Sequence, residues 1–136
     1  MIDELVAPNV SFHYPLFETH SAEVLKQQAS FIHAVFPDVS VTIEEEIAEG
    51  DRVVMRWTQR GTYRGEWEAG IPPTGKSVTW TGISIYRIVG GKIVEERGEE
   101  DSQGLLQQVG VLQRRWPAEP FTATVDDGSR GDKSQV

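Results

Sequence analysis

The residues of this chain most capable of chemistry are concentrated in Ile93 to Asp101, IVEERGEED. As a strand, this stretch has a period of two, which sets Ile93, Glu95, Arg97, Glu99 and Asp101 on one face. An arginine among carboxylates suits one wall of a polar pocket; a solvated charged edge would carry the same pattern. Asp101 closes the strand just ahead of a helical segment, where a side chain can project into a cavity. Burial in an apolar chamber would raise its pKa, because desolvation disfavours the charged form. That would bring it toward the range of a general acid/base near neutral pH. Trp57, Trp67, Trp80, Tyr63 and Tyr86 offer aromatic walls for a flat, polycyclic or polyunsaturated ligand, or else simple core packing.

Other chemistries find little support. The chain has no glycine-rich phosphate loop and no Gly-x-Ser-x-Gly elbow. It has no cysteine, which removes disulfides, thiolate catalysis and cysteine-bound zinc. His13, His20 and His33 would have to converge with carboxylates to hold a metal. Their spacing matches no known ligand pattern, so a metal is not expected.

The elements that must position these residues read as follows. Gly90-Gly91 is a two-residue hairpin turn between Ser77–Ile88 and the strand beginning at Ile93. Residues 1–8 read as the end of a helix stopped near Pro8. Val10–His13 reads as a short strand ending at Tyr14-Pro15, and PLFETH as a loop. Ser21 is a good N-cap for a helix carrying Leu25, Ala29, Ile32 and Phe36 on one face and ending at Pro37. Val39–Ile47 alternates as a strand, with Glu44-Glu45-Glu46 marking a bulge or a wet edge. After the Glu49-Gly50-Asp51 turn comes a long strand, Arg52–Arg64. Gly61 and Gly65 suggest a bend in it. Ser102–Arg114 reads as the last helix, and the polar stretch from about 117 to 136 as a disordered tail. The sum is one α+β domain, residues 1–116, with four or five antiparallel strands bent around a long helix and a cavity between them.

At 136 residues and 38% hydrophobic content a real core is possible. A net charge of −8 argues against nucleic acid and anionic membrane as main partners. With no leader-like opening and no long apolar run, the reading is cytoplasmic. The Asn9 sequon and the Arg130-Gly131-Asp132 tripeptide are treated as chance.

Several motifs resemble one family. Phe36-Pro37-Asp38, Glu49 to Thr58, Gly61 to Glu66, Gly70-Ile71-Pro72-Pro73-Thr74-Gly75-Lys76, Gly91 to Glu95, and Asp101 followed by Leu105 to Gly110 are similar to the SnoaL-like polyketide cyclases. These belong to the wider nuclear-transport-factor-2-like, cystatin-like superfamily. The resemblance covers about residues 10–112. It implies a cone-shaped α+β barrel with an apolar pocket, usually a homodimer packed sheet to sheet. It implies a cofactor-independent cyclase or isomerase acting on a polyketide-like small molecule, with Asp101 as acid/base. Arg97, Tyr63 and His13 would hold or polarise oxygen atoms, and Tyr14, Glu99 and the tryptophans would shape the bound conformer. Tyr63 stands where the family usually has histidine, and Arg97 where it usually has tryptophan. Alternatives are epoxide hydrolysis, needing acidic groups converging with an arginine, and a non-catalytic binding module.

Overall fold

The computed structural model describes residues 2–112; the expected domain end at 116 and the tail from 117 lie outside the described residues. Helix α1 (Ile2–Leu5) leads directly into β1 (Val6–Tyr14) and β2 (Phe17–Thr19). Helix α2 (Ala22–Val35) follows, then β3 (Ser40–Glu49), β4 (Arg52–Thr62), β5 (Ser77–Val89), β6 (Lys92–Glu100) and α3 (Ser102–Val109). The strands form one mixed sheet in the order β2-β1-β6-β5-β4-β3.

Several of the sequence expectations change here. Pro8 does not end a helix but lies within β1. It falls in the irregular stretch where the β1–β6 register shifts between Val6 and Ser11, the kind of place where a missing N–H is tolerated. The segment expected to be a loop contains β2, a three-residue edge strand. The sheet thus has six strands, and it is not wholly antiparallel, because β1 runs parallel to β6. β3 to β6 each pair antiparallel with the next, through two-residue turns except for the segment 63–76 between β4 and β5, which leaves the outer edge of β6 unpaired; the amino-terminal strand covers it.

Helix α2 is capped as its sequence demands. The Ser21 side chain accepts the Val24 N–H at 3.3 Å, and the helix stops before Pro37. Its carboxy-terminal end buries Val35 and Phe36 against Tyr63 and Trp80. Gly61 and Gly65 permit this contact: a Cβ at Gly61 would fall 2.7 Å from the Phe36 Cβ, and one at Gly65 2.1 Å from the Ala34 carbonyl. Helix α3 lays Leu105 and Val109 on the same core and ends at Gly110, whose φ of 90° is the left-handed C-cap conformation. Where β6 ends, the Gln108 amide takes over the ladder. It accepts the Thr79 N–H at 3.0 Å and donates to the Thr79 carbonyl at 2.8 Å.

The feature with most consequence for function is a one-residue bulge in β6. Ile93 faces Ile88 and Glu95 faces Arg87, so Val94 is the extra residue. An unbroken ladder from the Gly90-Gly91 turn would set Glu95 opposite Tyr86. With the bulge, Glu96 takes that place, Gly98 lies opposite Ser84, and Glu100 opposite Gly82. Every side chain beyond the bulge changes face.

Candidate active site

On the concave side of the sheet, under α2 and α3, lies a cavity of about 270 Å³. Its walls are mostly apolar. Phe12, Phe17 and Leu16 come from the β1–β2 hairpin, Val41 and Ile43 from β3, Trp57 from β4, Trp80 and Tyr86 from β5, and Leu105 from α3. Trp67 enters from the loop after β4 and stacks edge-on against Phe31 of α2, with centroids 5.3 Å apart. The ionisable groups on these walls are Tyr14, Tyr86, Glu96 and Glu100.

Glycines on the two central strands make room for two of the rings. A Cβ at Gly82 would lie 2.3 Å from the Trp57 indole, and one at Gly98 2.1 Å from the Tyr14 ring. The indole and the phenol therefore lie flat on the sheet, and their polar tips meet at Ser84, which is fully buried. Trp57 Nε1–H donates to the Ser84 hydroxyl at 2.8 Å, Ser84 is hydrogen-bonded to the Tyr14 hydroxyl, and Tyr14 donates to Glu96 Oε2 at 2.5 Å. Since indole can only donate, and Tyr14 spends its proton on Glu96, Ser84 must donate to Tyr14. Three donors are thus aligned in series toward one carboxylate, and such chains strengthen each of their bonds.

The electrostatics follow from this burial. Desolvation pushes the Glu96 pKa above its ordinary 4.5; hydrogen bonds from Tyr14 and Tyr86 pull it back, and the nearby Glu100 charge adds to the rise. Burial alone raises Glu100. Tyr14 is pushed upward by burial first and by the Glu96 charge second, and Tyr86 rises to about 12 for the same reasons in the same order. Both phenols therefore stay protonated donors at neutral pH, beside two carboxyl groups that hold their protons more tightly than usual.

The residues named from the sequence divide by face. Tyr14, Trp57, Trp67, Trp80 and Tyr86 line the cavity. His13, Arg97 and Glu99 do not: they share a shallow groove with Ile83 and Ile85 on the opposite side of the sheet. The physical reason is the Val94 bulge, which reverses the alternation that put Arg97 and Glu99 inward, while His13 alternates with the inward Phe12 and Tyr14 on β1. Asp101 is exposed and is not among the cavity's lining residues. Its carboxylate is the N-cap of α3, accepting the Gly104 N–H at 2.9 Å. Tyr63 is 0% exposed and lies behind the cavity wall, where its hydroxyl donates to the Ile71 carbonyl at 3.0 Å and accepts the Trp67 N–H at 3.3 Å. Glu96, Glu100 and Ser84 were missed. β5 carried the signal for them: its strict buried–exposed alternation from Val78 to Ser84 fixes which face is inward, and pairing across the turn assigns β6 once the bulge is known.

A curved mixed sheet with helices over an apolar chamber, and two carboxyl groups on the chamber's wall, is the ketosteroid isomerase-like fold. A solved structure from Catenulispora acidiphila described by that fold superposes with a TM-score of 0.63 at 18% identity, covering 78% of this chain and 77% of that one. The chain belongs to the SnoaL-like polyketide cyclase family, whose model matches residues 1–109. AclR of Streptomyces galilaeus, a proposed hydroxylase, is 31% identical with a TM-score of 0.69, covering 83% of this chain and 70% of that one. IdmH of Streptomyces antibioticus, a proposed polyketide cyclase, is 30% identical with a TM-score of 0.68, covering 80% and 84%. No curated protein matches the chain. Family and neighbours together support a cyclase-type enzyme of a small molecule.

Proposed function

We propose that this protein closes a ring on a polyketide-like, largely apolar substrate by proton transfer next to a carbonyl, with Glu96 as the base. The observation that carries the reading is the Trp57–Ser84–Tyr14 relay ending on a carboxylate inside an apolar chamber. Glu96 in its ionised form takes the α-proton. Tyr14 and Tyr86 stabilise the carboxylate before the transfer and remain beside the acid after it. The enolate carbon then attacks a second carbonyl of the same chain, forming the ring's new C–C bond as that C=O π bond opens to an alkoxide, and Glu100, raised by burial alone, protonates that oxygen. The aromatic walls hold the flexible chain in a reactive pose, a contribution worth up to roughly 7–11 kcal/mol in well-oriented systems. Asp101 keeps a structural part in this scheme, as the cap of α3. Epoxide hydrolysis by two carboxylates and an arginine is less well supported: no Lys or Arg lines the cavity among the described residues.

The test is hydrogen–deuterium exchange at the acidic carbon of an aromatic β-diketone, followed by NMR in deuterated buffer. Wild type accelerates exchange, and Glu96→Gln lowers the acceleration by about 10²–10⁴-fold, the usual weight of a general base. Unchanged acceleration in Glu96→Gln would exclude Glu96 as the base and leave pose enforcement as the source of catalysis.

We further propose a homodimer through the convex side of the sheet. Ile83 and Ile85 stand 48% and 40% exposed there, beside Arg97 and Glu99. Among the described residues no helix is long and apolar enough to cross a membrane. The absence of cysteine fits a cytosolic setting.

A further inference from the structure

The hairpin at the edge of the sheet carries a side-chain cluster that the cavity does not use. In the β1–β2 ladder Phe12 lies opposite Thr19 and His13 opposite Glu18. One further step of the same register sets Ser11 opposite His20. With Phe12 and Phe17 turned toward the cavity, Ser11, His13, Glu18 and His20 share the other face. His13 Nδ1 lies 3.2 Å from Glu18 Oε1, and the two imidazole centroids are 5.5 Å apart with planes at 78°. One donor atom from each of His13, Glu18 and His20 lies within 4.8 Å of the other two.

We propose that His13, Glu18 and His20 form a binding site for a divalent cation of the zinc class. Two imidazole nitrogens and a carboxylate oxygen are donors that zinc takes at about 2.0–2.2 Å, with a fourth position left for water. The Ser11 hydroxyl lies 2.8 Å from His13 Nε2. With an ion bound, Ser11 would accept that N–H and leave the Nδ1 lone pair to the metal beside Glu18 and His20, the outer-shell arrangement that orients a metal-binding histidine. The neighbouring cation, Arg97, lies opposite His13 in the parallel ladder and is drawn to Glu95, 3.7 Å away. The spacing along the chain hides the site, because His13 comes from β1, Glu18 from a second strand only three residues long, and His20 from just past its end. The ion would pin β2 to β1 and so fix Leu16 and Phe17, which wall the cavity. The site is independent of the proton chemistry proposed for Glu96.

The test is calorimetric titration of the tag-free full chain, stripped with chelator, with zinc chloride, supported by the visible spectrum of the cobalt(II) form. A single saturable site per chain is expected. His20→Ala and Glu18→Gln abolish or strongly weaken binding, Ser11→Ala weakens it by about 10-fold, and His33→Ala, at an exposed position on α2, leaves it intact. His20 is exposed, so its substitution leaves the fold unchanged, as circular dichroism will verify. Absence of saturable binding by wild type, binding unaltered in His20→Ala, or binding lost in His33→Ala would each overturn the proposal.

Discussion

Glu96 faces two opposed effects, and the balance between them decides its use. Burial favours the protonated acid, hydrogen bonds from Tyr14 and Tyr86 favour the carboxylate, and burial is the larger. A folded-state pKa above the unfolded one makes the native state hold a proton that the unfolded chain releases. The resulting stability is fully present below the ordinary 4.5 and is lost as pH rises through the raised value. Thermal melts of wild type should therefore show Tm falling with rising pH across that window, and Glu96→Gln should flatten the fall. A steeper fall in the variant would contradict the assignment. Asp101 offers the complementary case. As an N-cap its value is about 1 kcal/mol, so Asp101→Ala should destabilise by about 0.5–2 kcal/mol, while Asp101→Asn, itself a good cap, should cost little. Exchange activity should survive in Asp101→Asn. A loss of orders of magnitude there would return the acid/base role to Asp101.

At the scale of elements, the bulge at Val94 governs the site. Deleting Val94 removes the extra residue but leaves every pair beyond it as it is, Glu95 with Arg87 and Glu96 with Tyr86, so Glu96 and Glu100 keep facing the cavity. A chain so shortened should still melt cooperatively and keep its exchange activity, since no further charge enters the apolar chamber. A deletion variant that melts cooperatively yet has lost exchange activity would contradict this pairing. The same bulge explains which parts were legible in the sequence. Helix α2 was readable because its cap and its apolar stripe agree, and β5 because its alternation is strict. The Glu44 bulge was visible as an interrupted pattern, and β3 does shift register between Ile43 and Glu45. The β6 bulge left no such mark, because Val94 is a good strand residue wherever it points. β2 was hidden by its length, and the parallel pairing of β1 with β6 by the distance between them in the chain.

At the scale of the molecule, the sheet separates two surfaces of different character. The concave side holds the aromatic chamber, and the convex side exposes Ile83 and Ile85 beside a row of charges. Sedimentation equilibrium should give a dimer for wild type and a monomer for Ile83→Lys/Ile85→Lys; a monomeric wild type would remove the proposed interface. The chamber is the more consequential of the two surfaces, and its central claim is that a carboxyl group at position 96 sits in it, desolvated. Carbon-13 titration of the glutamate side-chain carboxyls, with Glu96→Gln to assign the resonance, measures this directly. Glu96 should titrate clearly above the ordinary 4.5; titration at or below that value would contradict a buried base at this position.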